Sequence, residues 1–273
     1  MTMSVAAKHA KGKFAQDKIF GANAAAVAAI AKYGKDNVVN ATIGAILDED
    51  EQLVCLPVVE KVYRSLPTTE LIAYAPISGL PDYLEAVLTA AFGQSRPDAY
   101  CAAVATAGGS GGIHHAIWNY LDEGEAALCS DWYWGAYSVL CKDMHRGFTT
   151  YKMLDENNKF NLADLKEKVF ALLEKQDNLL YLLNTPAHNP TGYSLTEEDM
   201  DGMLAILKEA AKIPGKHITL FLDVAYIDYA GEKEEVRKIF KKLEGLPANL
   251  LTIVGYSMSK GFTMYGQRTG AMI

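Results

Sequence analysis

Lys260 stands in Ser257-Met258-Ser259-Lys260-Gly261-Phe262-Thr263-Met264-Tyr265-Gly266-Gln267-Arg268-Thr269-Gly270, an amine among hydroxyls and small residues with an arginine downstream. Such surroundings are not those of the usual solvated surface lysine. Partial desolvation lowers an amine's pKa and lets it attack an aldehyde, and the guanidinium fork of Arg268 suits bidentate grip of a phosphate. Three further stretches could act with it. Ala107-Gly108-Gly109-Ser110-Gly111-Gly112 lies between an apolar run and a helical pattern, where a glycine loop turns backbone N–H groups toward a phosphate. Asn184-Thr185-Pro186-Ala187-His188-Asn189-Pro190-Thr191-Gly192 offers amides, and Leu222-Asp223-Val224-Ala225-Tyr226 offers a carboxylate and a phenol. The glycine stretch is no dinucleotide fingerprint, because His114 stands where the third glycine belongs, and no Gly-Lys-Ser/Thr marks a P-loop.

The elements that must position these groups alternate along the chain. Apolar runs at Ala102–Thr106, Ala126–Cys129, Leu179–Leu183, Ile218–Leu222, Leu250–Val254 and Thr269–Ile273 have the length of buried strands. Amphipathic stretches at 113–121, 162–175, 197–212 and 233–244 have the length of helices, and further helical patterns cover 16–33, 51–65 and 80–93. This alternation predicts an α/β fold with a mostly parallel sheet covered by helices. Each chemical stretch follows directly on a strand, and open parallel sheets bind ligands beyond the carboxyl ends of their strands. A phosphate cradle, an amide, a carboxylate and an amine are therefore expected in one crevice. Residues 1–13 read as a mobile arm.

Composition narrows the function. A net charge of −7 and a pI near 5.4 leave no basic excess to offset nucleic-acid phosphates. The apolar runs are interrupted well short of the roughly 20 residues of a membrane span, and no signal-peptide pattern opens the chain. A cytoplasmic location is the expectation. The four cysteines are scattered without a Cys-x-x-Cys pair and read as buried free thiols. His114 and His115 would point about 100° apart on a helix, with no carboxylate-rich partner nearby, so no metal is expected.

Ser-x-Ser-Lys260 with downstream Arg268-x-Gly270, His188-Asn189-Pro190-Thr191-Gly192 and Asp223-x-x-Tyr226 together resemble the class I, fold-type-I pyridoxal 5'-phosphate (PLP) aminotransferases. The likeness is to the aspartate and aromatic branch and runs from about Asn37 to the last residue. It implies a chain that moves an amino group between an α-amino acid and a 2-oxo acid, with Lys260 holding PLP as a Schiff base and shuttling a proton. Asp223 would pair with the pyridine nitrogen, and Asn189 and Tyr226 would donate to the ring oxygen. Gly109, Ser110, Gly111, Ser257 and Arg268 would hold the phosphate, and Trp132 would stack on the ring. Tyr74, in Ala73-Tyr74-Ala75-Pro76, would reach the cofactor of a partner subunit in a homodimer, and Gly44 and Asn189 would line the substrate. In the aspartate enzymes a histidine supports the pyridine-binding aspartate. Gly135 stands near that place, so this support is expected to be missing.

The resemblance further implies an N-terminal arm with part of a small domain over residues 1–48 and a PLP-binding large domain over 49–273. Relatives continue past the position of Ile273 with a segment that clamps the substrate carboxylate. The chain is thus expected to be C-terminally incomplete, to bind PLP, and to transaminate weakly or not at all. A lyase or cyclase of the same fold, and a non-catalytic PLP-binding dimerising fragment, share the same residues and stay open at this point.

Overall fold

The computed structural model describes residues 5, 7–11 and 18–273. Most of the expected arm's residues, 1–4, 6, 12 and 13, lie outside them, as do 16 and 17 at the start of the expected first helix. The chain forms two compact units, Met1–Val54 and Cys55–Ile273. The first unit contains α1 (Lys18–Tyr33) and a short antiparallel bridge between Leu47 and Leu53. The Asn23 carboxamide oxygen there accepts hydrogen bonds from Asn40 (2.9 Å) and Thr42 (3.2 Å).

The second unit opens with α2 (Pro57–Ser65), α3 (Thr68–Ile72) and α4 (Pro81–Phe92). Then strands and helices alternate: β1 (Val104–Ala107), α5 (Gly108–Tyr120), β2 (Ala126–Ser130), α6 (Ala136–Asp143), β3 (Gly147–Tyr151) and α7 (Leu162–Leu173). There follow β4 (Asn178–Asn184), α8 (Glu197–Ala210), β5 (His217–Asp223), α9 (Lys233–Arg237), β6 (Leu250–Ser257), α10 (Met258–Gly261) and β7 (Thr269–Met272). The seven strands form one sheet in the order β1-β7-β6-β5-β4-β2-β3. β7 runs antiparallel to both its neighbours, and every other pair is parallel. The expected mostly parallel α/β sheet is present.

Side-chain alternation along β4 shows why it lies in the interior of the sheet. Leu179, Tyr181 and Leu183 enter the core layer that also holds α7 and α8, whereas Leu180 and Leu182 enter the layer with α5 and α6. Each leucine so buried stabilises the fold by about 1.5–3 kcal/mol. The start of α8 is set locally: Thr196 accepts from the Asp199 amide while the Asp199 carboxylate accepts from the Thr196 amide, a reciprocal cap.

Four readings from sequence need adjustment. The glycines 108–112 are the first turn of α5, because packing against β7 and β1 overrides the poor helix propensity of glycine. The pattern at 51–65 becomes helical only at Pro57, which occupies the first turn where its missing N–H costs nothing. The stretch 233–244 divides into α9 and a 3-10 segment, Lys238–Leu243. β3 and α6 carry too little periodicity in sequence to be read. β3 gains its place by pairing with β2.

Candidate active site

Register brings the ends of β4, β5 and β6 level. Asn184 pairs with Asp223, and Asp223 pairs with Gly255, two residues before β6 ends at Ser257. The next turn is α10, which carries Lys260. Its backbone is tied down: the Tyr229 hydroxyl donates to the Lys260 carbonyl at 2.7 Å. Gly261 packs so closely on Asp228 that a Cβ would fall 2.3 Å from a carboxylate oxygen. Asp228 is itself paired at 2.6 Å with Arg237, whose side chain is 1% exposed. The turn that presents the lysine thus rests on an ion pair whose arginine is buried.

The Lys260 amine is half-buried and lies 5.8 Å from the centre of the Tyr226 ring and 5.4 Å from that of Tyr265. Burial lowers its pKa, and the nearby Arg268 guanidinium lowers it further. Both effects enlarge the share of uncharged amine, the form that acts as nucleophile or base.

Asp223 is buried, and burial raises its pKa. Two donors offset part of that cost: the Tyr137 hydroxyl at 2.6 Å from Oδ2 and the Ala225 amide at 3.1 Å from Oδ1. Asn184 donates to the Asp223 carbonyl (2.8 Å) and accepts from the Asn189 amide (2.7 Å), so it couples the two loops. The Asn189 carboxamide in turn donates to the Tyr226 hydroxyl at 3.3 Å. Burial and the charge of Asp223 raise the Tyr226 pKa and keep the phenol protonated as a donor.

A second cluster gathers at the start of α5. No side chain caps this helix, which leaves its first N–H groups for another acceptor. Gly109 faces Ser257, and Arg268 reaches the Ser110 hydroxyl (3.5 Å), the Ser259 hydroxyl (3.2 Å) and the Tyr265 carbonyl (3.0 Å). A helix N-terminus, three serines and an arginine make an anion cradle. Gly111 instead faces Thr106 and Ala107, so its missing side chain serves the approach of helix to strand.

The structure thus brings together Lys260, Asp223, Asn189, Tyr226, Gly109, Ser110, Ser257 and Arg268. Trp132 is 56% exposed, and its backbone bonds the Ser130 hydroxyl and the Asp131 carboxylate. Trp134 sits edge-on to Tyr137 at 5.7 Å. Tyr74 is fully exposed, on a loop held by the Ala105 amide bonding the Ser78 carbonyl at 2.7 Å. Gly44 belongs to the N-terminal unit and is exposed. Asp223 does have a side-chain partner, the Tyr137 hydroxyl, two residues beyond Gly135. Sequence reading missed Tyr137, Asn184 and Tyr229. Asn184 stood at a strand end beside the other polar residues and was findable there, whereas the two tyrosines carry no local mark. No cluster of metal-ligating side chains occurs among the described residues.

An amine, a buried carboxylate and an anion cradle at the carboxyl edge of an open sheet define a site for a phosphorylated carbonyl cofactor. The chain belongs to the aminotransferase class I and II family, whose model matches residues 36–273. It is 29% identical over 250 residues to the aromatic-amino-acid aminotransferase of Escherichia coli strain K12, covering 87% of this chain and 59% of that one. A crystal structure of an aminotransferase from Anaerococcus prevotii superposes with a TM-score of 0.95 at 40% identity, covering 99% of this chain and 66% of that one. A Burkholderia pseudomallei aromatic-amino-acid aminotransferase covalently bound to pyridoxal phosphate shares the fold, with a TM-score of 0.74 at 23% identity over 98% of this chain and 65% of that one. The chain spans about 59% of the length of the curated relative.

Proposed function

We propose that this chain holds PLP and serves an aminotransferase reaction between an α-amino acid and a 2-oxo acid, with Lys260 as the cofactor lysine. The observation that carries the reading is the half-buried Lys260 amine on α10, just past β6, 5.8 Å from the ring of Tyr226, whose phenol feels the charge of buried Asp223 at the end of β5. The residues fit the group: α5 lacks a side-chain cap where a phosphate would sit, and Ser110, Ser257, Ser259 and Arg268 converge there. Bound PLP supplies an electron sink for the carbanion formed at the substrate α-carbon. Lys260 Nζ, when uncharged, takes and returns the proton at that carbon. Asp223 supplies the negative charge for a protonated ring nitrogen, and Asn189 and Tyr226 supply neutral donors to a ring oxygen. Asn189 also lines the substrate in this reading.

The same reading includes a homodimer, supported by the full exposure of Tyr74 and Ile77 on an anchored loop. No described helix is long and apolar enough to cross a membrane. A cytoplasmic location is in keeping with relatives named as cytoplasmic aspartate aminotransferases in Dictyostelium discoideum and Schizosaccharomyces pombe. Among the alternatives on this fold, aminotransfer is favoured by relatives such as the aromatic-amino-acid, tyrosine and aspartate aminotransferases of Escherichia coli, Klebsiella pneumoniae and Pseudomonas aeruginosa.

The test is the absorbance of the chain with added PLP, followed by borohydride reduction and peptide mapping. Label on Lys260 is the expected outcome. Label on another lysine, or none in a folded sample, refutes the assignment.

A further inference from the structure

We infer that Tyr137 is a positioning residue for Asp223, one that fixes the carboxylate's orientation and keeps the proton of the Asp223–cofactor pair on the ring nitrogen. The inference rests on the proposed role of Asp223 and adds to it the group that makes the role possible. Its basis is geometric. The Tyr137 ring is fully buried on α6, in a T-shaped contact with Trp134 whose ring centroid lies 5.7 Å away, and its hydroxyl donates at 2.6 Å to Oδ2. The opposite oxygen, Oδ1, accepts the Ala225 amide at 3.1 Å. With one donor on each oxygen from two different elements, the carboxylate has a single orientation.

The proton argument follows from the same bond. A buried carboxylate prefers to be neutral, and a hydroxyl donor favours its charged form. Burial and the neighbouring Asp223 charge hold the Tyr137 phenol protonated well above its ordinary range, so it stays a neutral donor across the working pH. Asp223 has two such supports, Tyr137 and the Ala225 amide, against the desolvation that pushes its pKa up. Remove the hydroxyl and the proton shared with a ring nitrogen moves toward Asp223. Since a hydrogen bond to a charged group carries the larger share of hydrogen-bond energies, the partition should shift at least about tenfold.

The test uses PLP labelled with 15N in the ring, bound to the 273-residue chain, with the nitrogen resonance as readout. Tyr137→Phe should move the resonance toward that of an unprotonated ring, and Tyr137→His, which restores a donor, should return it. Asp223→Ala serves as reference for the unprotonated position. A Tyr137→Phe resonance at the wild-type position while Asp223→Ala shifts overturns the role of Tyr137 and leaves that of Asp223 standing. No shift in Asp223→Ala overturns the role of Asp223, and that of Tyr137 with it. Should the Phe variant fail to fold, the His variant decides: a folded His variant with the unprotonated resonance overturns the inference, and one at the wild-type position supports it.

Discussion

Arg268 lies so close to Gly108 that a Cβ on the glycine would come 2.7 Å from Nη2 of the guanidinium. Gly108 also has φ +67°, where a side chain is strained. Gly108→Ala should therefore destabilise the chain by about 1–3 kcal/mol and displace Arg268 from Ser110 and Ser259. Thermal melting and a PLP titration check both effects. An unchanged PLP affinity would show that the arginine does not serve the phosphate.

The lowered pKa of Lys260 has a sign that can be measured. A lysine depressed in the folded state binds fewer protons there than when unfolded. Stability attributable to it thus rises as pH climbs from the folded value to the ordinary 10.5. Aldehyde labelling of Lys260 in the apo chain should reach half its maximum below pH 10.5, and Lys260→Ala should abolish PLP-dependent labelling. A midpoint at the ordinary lysine value would mean that the amine is solvated.

Asp223 titrates in the opposite sense. Its folded pKa is raised, so its stabilising contribution is complete below the ordinary 3.8 and is lost as pH rises through the folded value. In the apo chain Asp223→Asn should remove this loss, and the variant's melting temperature should gain on the wild type as pH rises from 4 toward 7. With PLP the order reverses: losing a charged hydrogen bond of about 1.5–3 kcal/mol should weaken cofactor binding roughly tenfold or more. Parallel melting curves for the two apo chains would show that Asp223 is already ionised at ordinary cost.

Two tryptophans compete for the ring-stacking role. Trp132 is largely exposed, and Trp134 packs on the tyrosine that holds Asp223. With its face open to a ligand, Trp132 keeps the role, so Trp132→Ala is expected to weaken PLP binding more than Trp134→Ala, measured by quenching of tryptophan fluorescence on cofactor addition. The reverse order would move the role to Trp134.

Tyr74 and Ile77 expose their whole side chains on a loop anchored through Ser78 to β1. Apolar side chains so displayed are expected to be covered by a second copy. Sedimentation should show a dimer that Ile77→Lys dissociates. A wild-type monomer at micromolar concentration would remove the homodimer, and the role of Tyr74 with it.

The alternation of strands and helices, and with it the crevice, is written in the pattern of apolar residues. A run such as Leu179–Leu183 is apolar at every position and so belongs between two layers, and the polar residues that follow can only emerge at the strand's carboxyl end. Lys260, Asp223, Asn189 and the Gly108–Gly112 stretch were legible because each sits directly after such a run. Which distant groups finish the site depends on packing between elements. Tyr137 is separated from Asp223 by much of the chain, and nothing local to either residue signals their 2.6 Å bond. The same holds for Tyr229 on the Lys260 carbonyl and for Asp228 beneath Gly261. These contacts depend on how α6 and the turn after β5 fold back onto the sheet, and that geometry is set by packing between elements, which short-range pattern does not encode.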